Sequence, residues 1–319
     1  MKKNVVMFQL PVQEFKSIKR WGNIPLAASM LKAMALKEGL AEYFDIEILP
    51  PDVVNHAGDA WLIDYLVAKH PDVLCASLYF WNSQRSIYIA EQLKKRLPDL
   101  LFVVGGPEIS KDTTNIMENQ NIDFGCIGEG EEAFVAILRA IADNQTPPAV
   151  PGLFWRQGKK LSLNQGCSIV KNLDLLPSFL KMGILDLKNK PIVPYETMRG
   201  CTYSCLYCAT GTLPWRCFSA DRVINDLAIL HENGVKKVHL FCSNFLRHPD
   251  FFTICSELAA VNADRGMSLS FTSYAEDVSR EKAEALKACN FEVGELGLQT
   301  VNKKTLKIIR RPPLNKSRF

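Results

Sequence analysis

Long apolar runs are missing from this sequence of 319 residues. No stretch approaches the roughly 20 apolar residues that a membrane-spanning helix needs. Val5-Val6-Met7-Phe8 follows two lysines, but the run stops at Gln9 and Pro11. That is too short for the apolar centre of a secretory signal, so the chain is expected in the cytoplasm. An excess of one charge is lacking too. The net charge is +4, with acidic and basic residues interspersed, and gives no reason to expect nucleic acid or a membrane as partner. No Gly-Lys-Ser/Thr loop is present to cradle phosphates. No acid–base pair or nucleophilic triad stands out, so no side chain is singled out as catalytic. His231 and His239 fall in a helix-like and a strand-like run, where packing is the usual role.

Cysteine is not scarce: there are ten. In a long chain without a secretory signal thiols stay reduced, and clustered cysteines read as metal ligands or catalytic groups. Cys75, Cys126 and Cys242 sit in apolar strand-like runs, and Cys255 and Cys289 in helix-like ones, where a small buried hydrophobe is expected. Cys201, Cys205 and Cys208 instead share one loop, Cys201-Thr202-Tyr203-Ser204-Cys205-Leu206-Tyr207-Cys208. The residues between them are too few to hide three thiols separately, whereas a tight loop points several sulfurs at one focus. An iron–sulfur cubane normally takes four thiolates, and three from one loop leave one iron open. The competing reading is structural zinc, which favours close Cys pairs and four closed ligands. Cys217 would be the fourth, but no second close pair follows.

The first half alternates strand and helix signals. Strands are expected at Val5–Leu10, Phe44–Leu49, Val73–Leu78, Leu101–Val104 and Phe124–Ile127, and helices at Pro25–Lys37, Asp59–Lys69, Ser83–Leu97, Lys111–Glu118 and Glu131–Asp143. Such units specify a doubly wound parallel sheet covered on both faces, of the Rossmann or flavodoxin kind, spanning residues 1–143. Ligands on such sheets bind beyond the carboxyl ends of the strands. Those ends carry Tyr79-Phe80-Trp81-Asn82, Gly105-Gly106-Pro107-Glu108 and Gly128-Glu129-Gly130-Glu131. Gly128-x-Gly130-x-x-Ala133 formally fits a dinucleotide fingerprint. It lies on the fifth unit, however, and Glu129, Glu131 and Glu132 would repel a pyrophosphate.

Residues 144–189 read as a connector, with a hairpin around Gln157-Gly158-Lys159 and no chemistry of its own. From 190 to 319 the rhythm resumes with strands at Ile192–Met198, Lys237–Cys242, Leu269–Ala275 and Glu292–Thr300. The helices are expected at Asp221–His231, Asp250–Val261, Glu281–Ala288 and Lys303–Arg310. This is the β/α-barrel rhythm, whose sites lie at strand carboxyl ends. Cys242-Ser243-Asn244, Ser273-Tyr274-Ala275-Glu276 and Gly297-Leu298-Gln299-Thr300 then share a mouth with the cysteine loop.

The cysteine loop, with Arg199-Gly200 leading in and Tyr207 before the last cysteine, resembles the cluster loop of radical S-adenosylmethionine (SAM) enzymes. The resemblance implies a [4Fe-4S] cluster on Cys201, Cys205 and Cys208, with SAM chelating the open iron. It also implies reductive cleavage of SAM to a 5′-deoxyadenosyl radical, in a β/α partial barrel of the TIM type. Tyr207, Asn244, Ser273 and Gln299 match positions that meet SAM. The Gly-Gly-Pro-Glu and Gly-Glu-Gly-Glu turns, with Asn23-Ile24-Pro25-Leu26-Ala27-Ala28 and Leu78-Tyr79-Phe80-Trp81-Asn82, resemble the cobalamin-binding domain of B12-dependent radical SAM proteins. That resemblance places Tyr79, Trp81 and Asn82 near the corrin. Gly105, Gly106, Pro107, Glu108, Gly128, Gly130 and Glu131 fall around the nucleotide tail. Neither His56 nor His70 lies in an Asp-x-His-x-x-Gly setting, so cobalamin is expected without a histidine ligand. The bland alternative makes Tyr79 and Trp81 core aromatics and the glycines ordinary turns.

The family implies methylation of an unactivated carbon on an unknown small molecule or peptide, with an electron donor such as flavodoxin or ferredoxin. Cys242-Ser243-Asn244 departs from the family's Gly-Gly-Glu, and Glu276 stands near a position often held by arginine. The chain also supplies fewer β–α units than the family's barrel. It is therefore expected to be a fragment, a truncated product or one part of a split protein, with the final strand an exposed apolar edge. The rival reading is a non-catalytic or degenerate cobalamin and iron–sulfur protein.

Overall fold

The computed structural model describes residues 1–12, 23–112, 114–187 and 190–313. The expected tail from Leu314 lies outside them. The chain divides into two compact units, Met1–Val170 with Pro177–Leu185, and Lys171–Leu176 with Asp186–Phe319.

The first unit is organised by a seven-stranded sheet: β1 (Lys3–Phe8), β2 (Phe44–Ile48), β3 (Val73–Ser77), β4 (Leu101–Gly105), β5 (Phe124–Cys126), β6 (Leu153–Gln157) and β7 (Lys160–Leu163). Its order is β2-β1-β3-β4-β5-β6-β7. The first five strands run parallel, in registers such as Val5↔Val73, Val73↔Leu101 and Val103↔Phe124. The longer helices are α1 (Leu26–Lys37), α2 (Asp59–Lys69), α3 (Ser83–Arg96) and α4 (Glu131–Asp143).

Both faces are covered, and successive strand residues alternate between two cores. Val6, Phe8, Leu74, Ala76, Phe102 and Val104 pack with Leu62 and Leu66 of α2 and Ile89 and Leu93 of α3. Val5, Met7, Cys75 and Val103 pack with Ala28 and Ala35 of α1 and Phe134, Ile137 and Ile141 of α4. A leucine as fully buried as Leu62, Leu66 or Leu74 contributes ~2 kcal/mol. The continuous apolar strands expected from sequence are the signature of this two-sided burial.

Two expectations are corrected in this unit. The hairpin assigned to the connector extends the first sheet, because β6 lies antiparallel on β5 with Phe124↔Trp155. Without it, β5 would leave its backbone groups unpaired at an edge. The helix expected at Lys111–Glu118 is a single turn at Thr114–Met117.

The second unit holds a four-stranded parallel sheet of β8 (Val193–Glu196), β11 (Lys237–Phe241), β12 (Ser268–Tyr274) and β13 (Phe291–Gly297), in the order β13-β12-β11-β8. A short antiparallel ribbon joins β9 (Met198–Arg199) to β10 (Arg216–Cys217). The helices are α5 (Ala220–Glu232), α6 (Phe251–Val261), α7 (Arg280–Ala288) and α8 (Lys303–Ile308).

Three of them start on side-chain caps, which satisfy otherwise orphaned amides. Ser219 accepts from Arg222 N, Ser279 from Lys282 N, and Asn302 from Lys304 N and Thr305 N. Tyr195 of β8 is tied to α5 through Asp226, which also takes Arg222 Nε at 2.7 Å.

The sheet is open, not closed into a barrel. β13 is its edge, with Val293 and Leu296 exposed, as the sequence led us to expect. The strand expected at Ile192–Met198 is broken. β8 ends at Glu196, and the chain turns out of the sheet at fully buried Thr197, whose carbonyl is taken by Phe218 N. Among the described residues no helix is long and apolar enough to cross a membrane.

Candidate cluster loop and cofactor edges

The cysteine loop leaves the carboxyl end of β8 and returns through the β9–β10 ribbon, which closes its base. Gly200 makes the entry turn with φ of +73°, and a Cβ there would lie 2.1 Å from Pro214 O. Any other residue would push the two arms of the loop apart. Ser243, just beyond β11, donates to Gly200 O at 2.5 Å and fastens the loop to the next strand end.

Each of the three sulfurs meets a hydrogen-bond donor. Tyr203 N donates to Cys201 Sγ at 3.4 Å, Arg311 Nη1 lies 3.8 Å from Cys205 Sγ, and Thr210 Oγ1 lies 3.0 Å from Cys208 Sγ. Burial alone pushes the Cys208 thiol up. The Thr210 hydroxyl, the amides of Thr210 and Gly211, and the Arg311 charge outweigh burial and hold it below the usual thiol value. That favours the thiolate, the form that binds metal. Cys217 behaves differently: burial, then Asp250 and Cys242, push its thiol up to about 12. Its thiol therefore gives up a proton less readily than that of Cys208.

Among the described residues, no three His, Cys, Asp or Glu side chains converge on a single ion. A cubane needs no such convergence, since each thiolate ligates its own iron. Thr202 Oγ1, next to Cys201, is buried and without a hydrogen-bond partner among the described residues, so a donor is left over for a group bound on this loop. The donor set fits an iron–sulfur cluster.

Behind the loop lies a network that the sequence did not announce. Asp277, just past β12, is buried and accepts from Asn244 Nδ2 (2.6 Å), Arg247 Nε (2.6 Å) and Tyr203 OH (3.1 Å). It therefore joins two strand ends to the cluster loop. Burial, then the Asp277 charge, push the Tyr203 phenol up to about 12, which keeps it a donor.

Asn244 and Ser273, expected to meet SAM, are both buried and bond each other and the backbone around them. They build the wall and do not present it. Gln299 is exposed at the end of β13 with φ of +56°. Half-exposed Tyr207 stands on the loop itself, its hydroxyl accepting from Arg311 Nη1 at 2.7 Å. Tyr203, Arg247, Asp277 and Arg311 went unnoticed because no local spacing links them.

In the first unit, the carboxyl edge shows rings and bare backbone. Tyr79 and Trp81 are stacked with centroids 4.5 Å apart, and Phe80 projects from the same turn 81% exposed. Asn82 faces the other way. It is buried, accepts from Tyr79 N and donates to Leu10 O and Ser77 O, so it shapes the turn.

A Cβ on Gly105 would meet nothing within 4 Å, whereas one on Gly106 (φ +100°) would strike Leu78 O at 2.6 Å. Pro107 is exposed, and Glu108 follows half-buried with its amide on Leu78 O. Gly128 (φ +98°) is required for a reason internal to the unit: its Cβ would lie 2.4 Å from Ser168 O. Gly130 caps α4, and Glu131 is buried in the first turn of that helix. His70 ends α2 at the opposite, amino edge of the sheet. Flat apolar surface beside backbone clear of side chains fits a large planar cofactor.

These features agree with known proteins. Residues 23–138 match the B12 binding domain model and residues 195–318 the radical SAM superfamily model. The cobalamin-dependent radical SAM methyltransferase TokK of Streptomyces tokunonensis is 28% identical over 266 residues, which cover 79% of this chain and 38% of that protein. The 2-(S-pantetheinyl)-carbapenam-3-carboxylate methyltransferase of Streptantibioticus cattleyicolor is 30% identical over 209 residues, 61% of this chain and 31% of that one. The chain thus spans between about a third and two fifths of these relatives.

Among solved structures, the methyltransferase TsrM from Kitasatospora setae with cobalamin and a [4Fe-4S] cluster bound superposes with a TM-score of 0.75 at 15% identity. The match covers 96% of this chain and 60% of that one; at that identity the likeness is one of fold. In chain order, then, a segment matching the B12 binding domain is followed by one matching the radical SAM superfamily.

Proposed function

We propose that the chain holds a [4Fe-4S] cluster on Cys201, Cys205 and Cys208, binds SAM beside it and cobalamin on the first unit, and takes part in methylating an unactivated carbon. The observation that carries this reading is the loop itself: three thiols on a closed base, each met by a donor. When bound, the cluster supplies the electron that cleaves SAM and the cobalamin supplies the methyl group.

The chain's own residues position and shield. Gly200 and Ser243 fix the loop, Asp277 braces it through Tyr203, and Tyr79, Phe80 and Trp81 offer the apolar surface on which a corrin can lie. No side chain is assigned as acid or base, consistent with chemistry borne by cofactors. A low-potential electron donor such as a flavodoxin or ferredoxin, a small-molecule or peptide substrate and a cytoplasmic setting complete the proposal.

The test is electron paramagnetic resonance on anaerobically reconstituted, reduced protein with and without SAM, together with release of 5′-deoxyadenosine. A cluster signal that shifts with SAM and nucleoside release are expected. A signal indifferent to SAM would leave a non-catalytic cobalamin and iron–sulfur protein, and zinc in place of iron would sink the proposal.

A further inference from the structure

Arg311 occupies a position that the cysteine motif does not explain. It lies just beyond α8, where Arg311 N bonds Leu306 O and the neighbouring Ile309 O accepts from Leu206 N, in the middle of the cluster loop. The Tyr274 hydroxyl bonds Pro312 O on the other side. The segment therefore straps the loop between Cys205 and Tyr207.

The guanidinium is held at both terminal nitrogens and against one ring. Nη2 donates to Gly297 O at 2.5 Å, Nη1 to Tyr207 OH at 2.7 Å, and its carbon sits 4.3 Å from the centre of the Tyr274 ring. Nη1 also lies 3.8 Å from Cys205 Sγ. Nε is buried with no hydrogen-bond partner among the described residues. The other partners are neutral, the sulfur alone would carry charge as a cluster ligand, and no carboxylate pairs with Arg311 among the described residues. Cys205 is also the most buried cysteine of the loop, where a nearby charge is least screened.

We propose that Arg311 is a positioning residue that sets the reduction potential of the cluster. Its countercharge is the Cys205 thiolate. Each electron added makes the loop one unit more negative, so a fixed cation and an N–H···S bond favour the reduced state, in line with the factors that tune such clusters. Tyr207 and Tyr274 serve as the two walls that hold the fork in place. The proposal rests on the cluster assignment above.

The experiment is a potentiometric titration of the full chain, reconstituted anaerobically without SAM, with the reduced cluster read by electron paramagnetic resonance. Iron and acid-labile sulfide are counted first. At a fixed poise R311M is expected to move the oxidised-to-reduced ratio about tenfold toward oxidised, ~59 mV for a one-electron couple. R311K, which keeps the charge and loses the fork, is expected to recover most of that shift. A merely structural arginine would not give this ordering.

R311M with wild-type iron and an unmoved potential would overturn the proposal, as would R311K titrating as low as R311M. If R311M takes up no iron, R311Q is read in its place, and a wild-type potential there overturns the proposal equally. A wild-type chain that takes up no iron fails one step earlier and removes the cluster assignment itself.

Discussion

The carboxyl edge of the first sheet presents rings and bare backbone, whereas that of the second presents thiols over a buried ionic brace. At the first edge Gly105 is open, Gly106 lies against Leu78, and Phe80 stands in solvent. At the second, Asp277 gathers Asn244, Arg247 and Tyr203 behind the cysteines. Both are parallel strand ends, and topology alone gives them the same role. What distinguishes them is the partner each suits. A broad, flat cofactor is held by area and needs side chains out of the way. A cluster is held by a few bonds and needs its ligands fixed.

That contrast can be broken or sharpened by substitution. The largest effect is expected from Cys205→Ala, which should abolish iron binding while leaving cobalamin uptake, followed by its visible absorption, as in the wild type. Loss of both would mean that the two edges are not separate. Next is Asp277→Ala. Three donors lose their acceptor, and the second unit should be destabilised by about 3 kcal/mol in urea unfolding, with cluster yield falling alongside.

Gly106→Ala should cost about 2 kcal/mol, because a Cβ at that φ collides with backbone. Gly105→Leu makes the complementary test. Stability should stay within about 0.5 kcal/mol, since an added Cβ meets nothing within 4 Å, yet cobalamin binding should be lost. Binding that survives Gly105→Leu would move the nucleotide tail elsewhere.

Asp264, in the turn before β12, carries the smallest effect. The Gly266 amide, then His231, hold its carboxyl below the usual carboxylate range. A depressed carboxyl stabilises above its unfolded pKa, and the contribution is lost as the pH falls through the folded value. Asp264→Asn should therefore flatten only the acid side of the stability curve, below about pH 4, and leave both cofactor edges alone.

The repeating strands and helices were legible because their signals are local. Continuous apolar strands, helical spacing and the Ser219, Ser279 and Asn302 caps can each be read within a few residues. The cysteine loop was legible for the same reason. Direction was not. Asn82, Asn244 and Ser273 sit at strand ends, where polar residues can point out to a ligand or in to the backbone, and in this fold all three turn inward. Partners distant in sequence were also hidden. Tyr203, Arg247, Asp277 and Arg311 lie in four separate elements, and only the folded sheet brings them to one loop. The hairpin of β6 and β7 looked like a connector because nothing in its own residues names Phe124 as the pairing partner.

The β9–β10 ribbon has a consequence for how the protein matures. A site whose loop is shaped by metal must be ordered and filled in one event, and stripping the metal unfolds it. Here the neck of the loop is already sewn by backbone pairing at Arg199 and Arg216, by the Gly200 turn and by Ser243. An iron donor would meet a finished socket. Loading is then expected to be a docking step that a chelator reverses, with the pairing at the neck of the loop kept.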